Sequence, residues 1–311
     1  MKVIDLINSS KSTAFSFEIL PPLKGNSIQK VYNVIDKLIE FDPKYINITS
    51  HHSEYIYKTL PDGSFQKVNI RKRPGSVAIA SAIQNKYGIT AVPHIICKGF
   101  TKDETEYALI DLNFLGVYDL LLLRGDVKTL EAGQKTDIYH EHATDLQQQV
   151  NDFNKGIAID GSVFEANETP FSYGMACYPE KHEEAPNMES DIFYLKEKVK
   201  NGADYLVTQM FFDNEKYYAF VDRCRAEGIP GIKPIVFKNQ LTVLPKIFRS
   251  DIPEPFATEL RKCKTDDEAK AVGVEWCIQQ CKDLIAHGVP SLHFYTMMAS
   301  DSVYKVAKEV Y

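Results

Sequence analysis

An apolar run near the middle of the chain ends abruptly in charged residues. Residues 117–123 read Val-Tyr-Asp-Leu-Leu-Leu-Leu, and Arg124, Gly125 and Asp126 follow directly. Strands that are apolar on both faces are typical of buried parallel sheets, so the two charges should lie at the carboxyl end of a strand. A glycine there lets a ligand approach the backbone closely. The pattern indicates a binding or catalytic site, with a solvated ion pair in a strand-to-helix turn as the alternative.

Several other apolar segments end in polar or ionisable residues. Runs of β-branched and apolar residues between turn residues predict eight strands, separated by helical patterns. The predicted strands cover residues 14–20, 44–50, 90–96, 118–123, 171–177, 205–209, 232–237 and 291–295. The polar residues that close or follow most of them are Glu18, Thr49, His94, Asp126, Tyr178 and Gln209.

Eight strand and helix units in 311 residues predict an α/β fold, a (β/α)8 TIM barrel with an insertion after strand 4. Closure of the barrel would bring the polar strand ends together in one mouth. The insertion is the irregular segment 127–170, with a helical pattern at 141–150 and a Gly- and Asn-containing part at 151–169. Its length predicts a lid or a ligand-wrapping segment. We expect residues 1–311 to form a single catalytic domain.

Composition narrows the functional class. The chain has 44% hydrophobic and 25% charged residues, and its formal net charge is -6. An acidic balance argues against nucleic acid and anionic membranes as partners. No stretch reaches the roughly 18 apolar residues that cross a bilayer, and the first residues lack the long apolar segment of a secretory signal. We therefore expect a cytoplasmic protein that acts on small molecules.

Six cysteines are scattered along the chain without a Cys-x-x-Cys pair. Reduced core thiols are therefore expected, and disulfides are not. Cys277 and Cys281 lie one helical turn apart, which is compatible with two metal ligands. Their apolar helical pattern and the lack of a nearby histidine pair favour packing, so no metal is expected.

The polar strand ends resemble, in the same order, the motifs of the methylenetetrahydrofolate reductase family. The matching motifs are Phe17-Glu18 with Pro21-Pro22, Pro93-His94, Leu123-Arg124-Gly125-Asp126, Tyr178-Pro179-Glu180 with His182, Thr208-Gln209 with Phe211-Phe212-Asp213, and His293-Phe294-Tyr295-Thr296. No single motif is specific, so the resemblance rests on six motifs in order. It implies a flavin-bearing (β/α)8 barrel that reduces 5,10-methylenetetrahydrofolate to 5-methyltetrahydrofolate.

The resemblance implies roles in catalysis and substrate binding for three residues. Glu18 is the candidate general acid, because opening the five-membered ring of the substrate requires protonation of a nitrogen. Asp126 resembles an aspartate beside flavin and folate, which tunes the flavin and binds the pterin. Gln209 has the donors and the acceptor to bind pterin or nicotinamide in turn. The alternatives are a surface carboxylate for Glu18, an ion pair with Arg124 for Asp126, and a glutamine bonded to backbone for Gln209.

The family pattern also implies an FAD site that includes Asp126. Its other residues are Thr49, His94, Arg124, Gly125, Ala143, Tyr178, His182, Ala185, Asp191 and Lys198. Asp191 and Lys198 are seven positions apart, which on a helix places them on one face and suits contact with the ribityl or pyrophosphate portion. Solvated helix charges are the alternative. No G-x-G-x-x-G follows the first strand, so a Rossmann turn is not expected.

The chain departs from the family pattern mainly at substrate-facing strand ends. The departures are the segment 50–54, His142 in place of a tyrosine, the seventh strand, and Met297-Met298-Ala299 in place of Leu-Asn-Arg. They leave the choice between NADH and NADPH open, with NADH as the expected donor. We expect a homo-oligomer in which the nicotinamide dinucleotide reduces FAD and leaves before the folate binds, which gives ping-pong kinetics.

Two other functions stay open at this point. One is a folate- or flavin-binding subunit of a larger electron-transfer complex that does not use NAD(P)H directly, which the altered segment 50–54 suggests. The other is an unrelated barrel lyase or aldolase, which would be colourless. Because the chain ends at residue 311, the regulatory domain of the family's larger eukaryotic members, and its control by adenosylmethionine, are not expected.

Overall fold

The computed structural model describes residues 1–51, 54–98, 100–125, 138–229, 232–233, 235–236, 250–296, 298 and 300–311. The strands are β1 (Ala14–Ile19), β2 (Tyr45–Ile48), β3 (Glu54–Thr59), β4 (Phe65–Ile70), β5 (Thr90–Ile96), β6 (Asp119–Leu123), β7 (Ser172–Cys177), β8 (Tyr205–Thr208), β9 (Ile232–Lys233), β10 (Ile235–Val236) and β11 (Ser291–Tyr295). The helices are α1 (Val3–Asn8), α2 (Gln29–Leu38), α3 (Ser76–Tyr87), α4 (Lys102–Phe114), α5 (Ala143–Asn154), α6 (Met188–Lys200), α7 (Asn214–Ala226), α8 (Glu254–Lys262), α9 (Asp266–Ala286) and α10 (Ser300–Val310).

The parallel strands close into a barrel. They form one sheet in the order β10-β11-β1-β2-β5-β6-β7-β8-β9. The two segments at the ends of this order, β9 and β10, are separated by residue 234 alone. They are two halves of one barrel strand, because β9 pairs with β8 and β10 pairs with β11. The predicted (β/α)8 barrel is confirmed.

All eight predicted barrel strands are present, with small differences at their ends. The second barrel strand, β2, ends at Ile48, and the sixth barrel strand, β8, ends at Thr208. Thr49 and Gln209 therefore lie just beyond the paired residues. The predicted strand 232–237 is confirmed over Ile232–Lys233 and Ile235–Val236, and its remaining residues lie outside the described part of the chain. The polar residues that the sequence places at strand ends therefore lie on the rim.

Alternate residues of the strands face two different cores. On β1, Phe15, Phe17 and Ile19 pack in the layer between the sheet and the helices. The barrel interior contains Ala14, Tyr45, Val92, Leu121, Tyr205 and Val207, which cluster with Val3 and Ile7 of α1. Helix α1 therefore covers the amino-terminal end of the barrel, where the backbone N–H of Val3 donates to Asp119 Oδ1 at 2.9 Å. The opposite end is the mouth.

A hairpin that the sequence analysis did not predict follows the second barrel strand. Strands β3 and β4 pair antiparallel, and the Leu60 N–H donates to the Ser64 carbonyl at 2.7 Å across the turn. The signal was present as two alternating segments around Pro-Asp-Gly, a strong turn sequence. Tyr57 and Phe65 on this hairpin are 55% and 70% exposed. Because it follows the carboxyl end of β2, the hairpin emerges on the mouth side.

The predicted insertion after the fourth barrel strand, β6, contains α5 and a segment on each side of it. The predicted helix at 141–150 is confirmed as α5, and residues 126–137 lie outside the described part of the chain. The expectation that the part after the helix is a lid or wraps a ligand at the mouth is wrong. Asn154, at the end of α5, hydrogen-bonds through its side chain to the backbone of Phe171 just before β7. Helix α5 has already returned the chain to the amino-terminal end of the barrel.

The predicted packing role of the paired cysteines is confirmed. Cys277 and Cys281 are buried on α9 with their sulfur atoms 4.0 Å apart. All six cysteines lie in described segments, and each is a free thiol. Among the described residues, no three His, Cys, Asp or Glu side chains are arranged to hold a metal ion. Within the same residues, no helix is long and apolar enough to cross a membrane.

Candidate active site

Glu18 lies at the carboxyl end of β1, inside the mouth of the barrel. It is 7% exposed, which excludes the alternative of a surface carboxylate. The hydroxyl of Thr49 donates to Glu18 Oε1 at 2.8 Å. The hydroxyl of Thr296 donates to the backbone carbonyl of Glu18 at 2.7 Å. Neighbouring strands on both sides therefore hold this residue in place.

The second oxygen of the Glu18 carboxyl group faces two imidazoles. Glu18 Oε2 is 3.4 Å from His94 Nε2 and 4.0 Å from His293 Nε2. His293 Nδ1 hydrogen-bonds with the Ser16 hydroxyl at 2.9 Å, and its ring stacks on Tyr45 at a centroid distance of 5.7 Å. From the sequence, His293 is predicted only as part of a motif and without a role of its own. Its signal was an ionisable side chain at an inward position of a buried strand.

Burial controls the ionisation of this group. It raises the pKa of Glu18 to about 7, against the opposing effect of the Thr49 hydrogen bond. It lowers the pKa of His94 to about 3, and the nearby His51 imidazole acts in the same direction. Near neutral pH, His94 is neutral and Glu18 exists in both forms. Because Oε1 accepts the Thr49 hydroxyl, the proton belongs on Oε2, and such a carboxyl group is suited to general acid catalysis.

A second group of predicted residues lies between β6, β7 and α6. Arg124 follows β6, and its guanidinium donates to Glu184. This hydrogen bond raises the pKa of Arg124 and lowers the pKa of Glu184. The ring of Tyr178 meets the imidazole of His182 edge-on at 4.6 Å. Burial lowers the pKa of His182, and the positive charge of Arg124 lowers it further.

Helix α6 contributes Asp191 and Lys198 to this second group. Asp191 Oδ2 accepts the backbone N–H of His182 at 2.8 Å, and Lys198 Nζ donates to the Ala176 carbonyl at 3.0 Å. Burial lowers the pKa of Lys198, and the charge of Asp191 opposes this effect. Both residues lie on one helix, as predicted. Their contacts exclude the alternative of freely solvated helix charges.

The turn before α6 is organised by a lysine that the sequence analysis did not single out. Lys181 has a φ of 78°. Its ammonium group donates to the carbonyls of His182 and Ala185, at 3.0 and 2.5 Å. The Ala185 N–H in turn donates to the His182 carbonyl at 3.1 Å. Ala185 thus joins the second group through its backbone.

Gly125 and Ala143 lie at the edge of the same region. Gly125 has a φ of 81°, and an added Cβ would lie 3.4 Å from the Cβ of Ile96. Glycine is therefore favoured both by the backbone conformation and by the close neighbour. Ala143 is the first residue of α5, next to His142, whose carbonyl accepts the Cys97 thiol at 3.3 Å.

Tyr295 connects the two groups. Burial raises its pKa well above the usual range, and the charges of Glu18 and Tyr178 act in the same direction. Gln209 is half-buried on the rim, where its N–H donates to the Cys177 carbonyl at 2.7 Å. Its Oε1 accepts the Met210 N–H at 2.9 Å, which is the backbone bond that the alternative predicts. The predicted role of Gln209 in substrate binding stays a prediction.

Three of the departures from the family pattern are only partly described, and one predicted catalytic residue is not described. Asp126 lies outside the described residues, as do residues 52–53, 297 and 299. His142 is described, and its N–H donates to Asp145 Oδ2 at 2.9 Å in the first turn of α5. Of the predicted site residues, the structure brings Glu18, Thr49 and His94 together in one group. It brings Arg124, Tyr178, His182, Asp191 and Lys198 together in the second group.

Comparison with known proteins identifies the family. A sequence profile described as methylenetetrahydrofolate reductase matches residues 2–311. The chain belongs to the methylenetetrahydrofolate reductase family. It is 29% identical to the Escherichia coli 5,10-methylenetetrahydrofolate reductase over 94% of this chain and 88% of that protein. It is also 29% identical to methylenetetrahydrofolate reductase (NADH) 1 of Arabidopsis thaliana and to a probable methylenetetrahydrofolate reductase (NADPH) of Caenorhabditis elegans. The alignments cover 97% and 99% of this chain, which spans only 49% of the plant protein and 43% of the worm protein.

Solved structures agree with the barrel fold. An uncharacterized protein from Clostridium thermocellum, described as binding two copies of 5-methyl-5,6,7,8-tetrahydrofolic acid, gives a TM-score of 0.52 at 13% identity, with 98% of both chains covered. A chain of tryptophan synthase from M. tuberculosis gives a TM-score of 0.52 at 11% identity, with 99% of this chain and 96% of that chain covered. At such low identity these similarities show the fold alone.

The second group has the chemistry that the family's dinucleotide flavin needs. Arg124 and Lys198 are cations suited to an anionic pyrophosphate. Gly125 has the positive φ and the close contact with Ile96 that favour glycine, so the loop beside Arg124 is held in one conformation. Tyr178 and His182 present aromatic rings beside these cations. The donor set therefore fits FAD.

Proposed function

We propose that the protein reduces 5,10-methylenetetrahydrofolate to 5-methyltetrahydrofolate, with FAD in the mouth and NADH as the electron donor. The observation that carries this proposal is the Glu18 carboxyl group, which is buried in the mouth, accepts the Thr49 hydroxyl and faces His94. Its position in a barrel of the methylenetetrahydrofolate reductase family supports the same activity. The relatives from Escherichia coli and Arabidopsis thaliana bear names that state it.

Glu18 is the proton donor in this proposal. Its Oε2 transfers a proton to a nitrogen of the substrate's five-membered ring, the carbon–nitrogen bond breaks, and the one-carbon unit becomes an iminium that accepts hydride. When bound, FAD supplies the hydride chemistry. His94 does not compete for the proton, because burial lowers its pKa to about 3. The Thr49 hydroxyl remains bonded to Oε1 and stabilises the carboxylate that forms.

The second group holds the cofactor in this proposal. Arg124 and Lys198 would neutralise the charge of the pyrophosphate, and the loop at Gly125 would help to hold the flavin. Asp191 fixes the turn that carries His182 through the hydrogen bond to its N–H. Thr49, His94, Ala143, Tyr178 and Ala185 complete the FAD site of the proposal. Asp126 and Gln209 bind the folate, and because the nicotinamide uses the same mouth, the two substrates alternate.

One anaerobic titration tests cofactor, donor and acceptor together. The purified protein should be yellow, lose its flavin absorbance when NADH is added, and regain it when methylenetetrahydrofolate follows. A parallel titration with NADPH decides the donor. Initial-rate lines should be parallel, as the ping-pong order requires. A colourless protein, or flavin that stays reduced after the folate is added, would contradict the proposal.

A folate- and flavin-binding subunit of a larger electron-transfer complex is the second candidate. The hairpin β3–β4 favours it, because Tyr57 and Phe65 are exposed on the mouth side and offer apolar surface to a protein partner. Rapid mixing with NADH separates the two candidates. Flavin bleaching at a rate that supports turnover excludes this subunit, whereas an unchanged spectrum with a protein that still binds the folate would favour it.

A further inference from the structure

Asn47 is a buried polar residue with no role assigned above. It is fully buried on β2, and neither Nδ2 nor Oδ1 has a hydrogen-bond partner among the residues that the structure describes. Its neighbours Ile46 and Ile48 are also fully buried and pack in the layer of the helices. Because side chains alternate along a strand, Asn47 points the other way, into the barrel.

The position of Asn47 in the sheet places it beside the candidate acid. Its register partner on β1 is Glu18, and its register partner on β5 is Val92. Register partners in adjacent parallel strands point to the same face and lie about 5 Å apart. His94 lies two residues beyond Val92, on the same face and one step closer to the mouth. The amide of Asn47 therefore lies between the strand of Glu18 and the strand of His94.

An amide in this position needs an explanation. A buried amide without hydrogen bonds destabilises the folded state, whereas Val92 and Leu121 fill inward positions of the same barrel with apolar atoms. Glu18 changes its charge during the proposed reaction, so the hydrogen bonds that it requires also change. Once the proton leaves Oε2, that oxygen becomes a charged acceptor with room for another donor.

We propose that Asn47 is a positioning residue for Glu18, and that its amide donates a hydrogen bond to the Glu18 carboxylate formed when the proton is released. The amide then stabilises the product state of the proton transfer more than the resting acid. In this way it keeps a deeply buried carboxyl group able to act as an acid. The inference rests on the proposed function only for its consequence in catalysis.

Other groups that face Glu18 set the background for this effect. They are His94 on β5, His293 and Tyr295 on β11, and the Thr49 hydroxyl after β2. His51 acts electrostatically on His94. The substitution of Asn47 replaces none of these groups, so they are present in the unmodified protein and in the variants alike.

The pH profile of the folate half-reaction tests the proposal. In Asn47→Leu, loss of the donor makes Glu18 harder to ionise. The alkaline limb of the profile, where the rate falls because Glu18 loses its proton, should therefore shift to a pH about one unit higher. The rate on the acidic side should fall by about threefold, because a weaker acid donates its proton more slowly. Asn47→Asp, of nearly equal volume, should move the limb upward as well, since two neighbouring carboxylates resist joint ionisation.

Ile48→Val is the matched control, because Ile48 is equally buried and adjacent on β2 but faces the helices. The alkaline limb of its pH profile should coincide with that of the unmodified protein. A limb that stays unmoved in both Asn47 variants would overturn the proposal. If Asn47→Leu does not fold, the near-isosteric Asn47→Asp decides the matter.

Infrared titration of the protein without folate separates this inference from the proposed function. The carboxylic C=O band that disappears in Glu18→Gln belongs to Glu18, and its midpoint should rise by about one pH unit in Asn47→Leu. If the midpoint rises while no variant reduces the folate, the proposed function fails and the inference stands. If the unmodified protein reduces the folate but the midpoint is unmoved, the inference alone is overturned.

Discussion

Glu18 and Arg124 lie at the carboxyl ends of two strands of one barrel, yet their surroundings differ. The side chain of Glu18 is 9% exposed and faces the neutral imidazole of His94, whose side chain is 4% exposed. The side chain of Arg124 is 20% exposed, and the side chain of its partner Glu184 is 51% exposed. The first pair is enclosed by strands, whereas the second is formed by loops that follow strands.

This difference separates two kinds of chemistry. Inside the barrel, the absence of water raises the pKa of a carboxyl group and makes a proton available near neutral pH. On the rim, water and ion pairs keep Arg124 and Glu184 charged. A proton donor needs the first setting, and an anion-binding site needs the second. The barrel offers both within one mouth, at different depths.

The sharpest test removes the proton and keeps the shape. Glu18→Gln should lower the rate of flavin reoxidation by methylenetetrahydrofolate by roughly 10² to 10⁴-fold, the usual contribution of a general acid. Flavin reduction by NADH should remain nearly intact, because it requires no protonation of the folate. Stopped-flow absorbance measures both half-reactions. Equal losses of rate in both half-reactions would mean that Glu18 has a structural or cofactor-binding role. The proposed difference between a buried proton donor and a hydrated rim would then fail.

The same substitution should stabilise the protein at alkaline pH. The pKa of Glu18 is about 7 in the folded state against 4.5 as the ordinary value, so ionisation destabilises the fold as pH rises through this interval. The free energy of unfolding of Glu18→Gln minus that of the unmodified protein should therefore be about 3 kcal/mol larger above neutral pH than below pH 4.5. Urea unfolding of the folate-free protein at several pH values measures this difference. If the difference in free energy of unfolding does not depend on pH, the Glu18 carboxyl group is hydrated and its pKa is not raised by burial.

Lys198 tests the role of the cations in the second group. Lys198→Met should weaken FAD binding by about 10- to 100-fold, since a hydrogen bond to a charged group contributes about 1.5 to 3 kcal/mol. The affinity should also respond less to salt. Flavin fluorescence titration of the apoprotein provides the measurement. Lys200→Met is the control, because Lys200 lies on the same helix and its side chain is 72% exposed. Equal effects of both substitutions would refute a specific role for Lys198.

Gly125 gives the smallest expected effect. Gly125→Ala should cost about 1 kcal/mol of stability, because its φ of 81° is unfavourable for a side chain. Gly88→Ala, with a φ of 67° and no atom within 4 Å of the added Cβ, should cost a similar amount. Only the Gly125 variant should also weaken FAD binding. Thermal unfolding and flavin titration compare the two, and unchanged FAD affinity would remove Gly125 from the cofactor site.

Local patterns were sufficient for much of the fold. Each barrel strand showed an apolar run, and most of these runs had a polar end, so the strand positions could be predicted without tertiary information. The hairpin β3–β4 was missed although Pro-Asp-Gly marked its turn. The segment after α5 was assigned to the wrong end of the barrel, because its position depends on where the helix returns the chain. Asn47 and His293 could be read as polar residues in strands, but their neighbours could not.

The amino-acid sequence by itself determined the eight strand segments, the order of the motifs and the chemical groups available at each strand end. Tertiary structure alone decided which groups lost contact with water and which stayed hydrated. Glu18 is an ordinary carboxylate until Thr49, 31 positions away, and the imidazoles of His94 and His293 enclose it. Its pKa rises because desolvation depends on side chains brought together by closure of the barrel, and no local pattern contains that information.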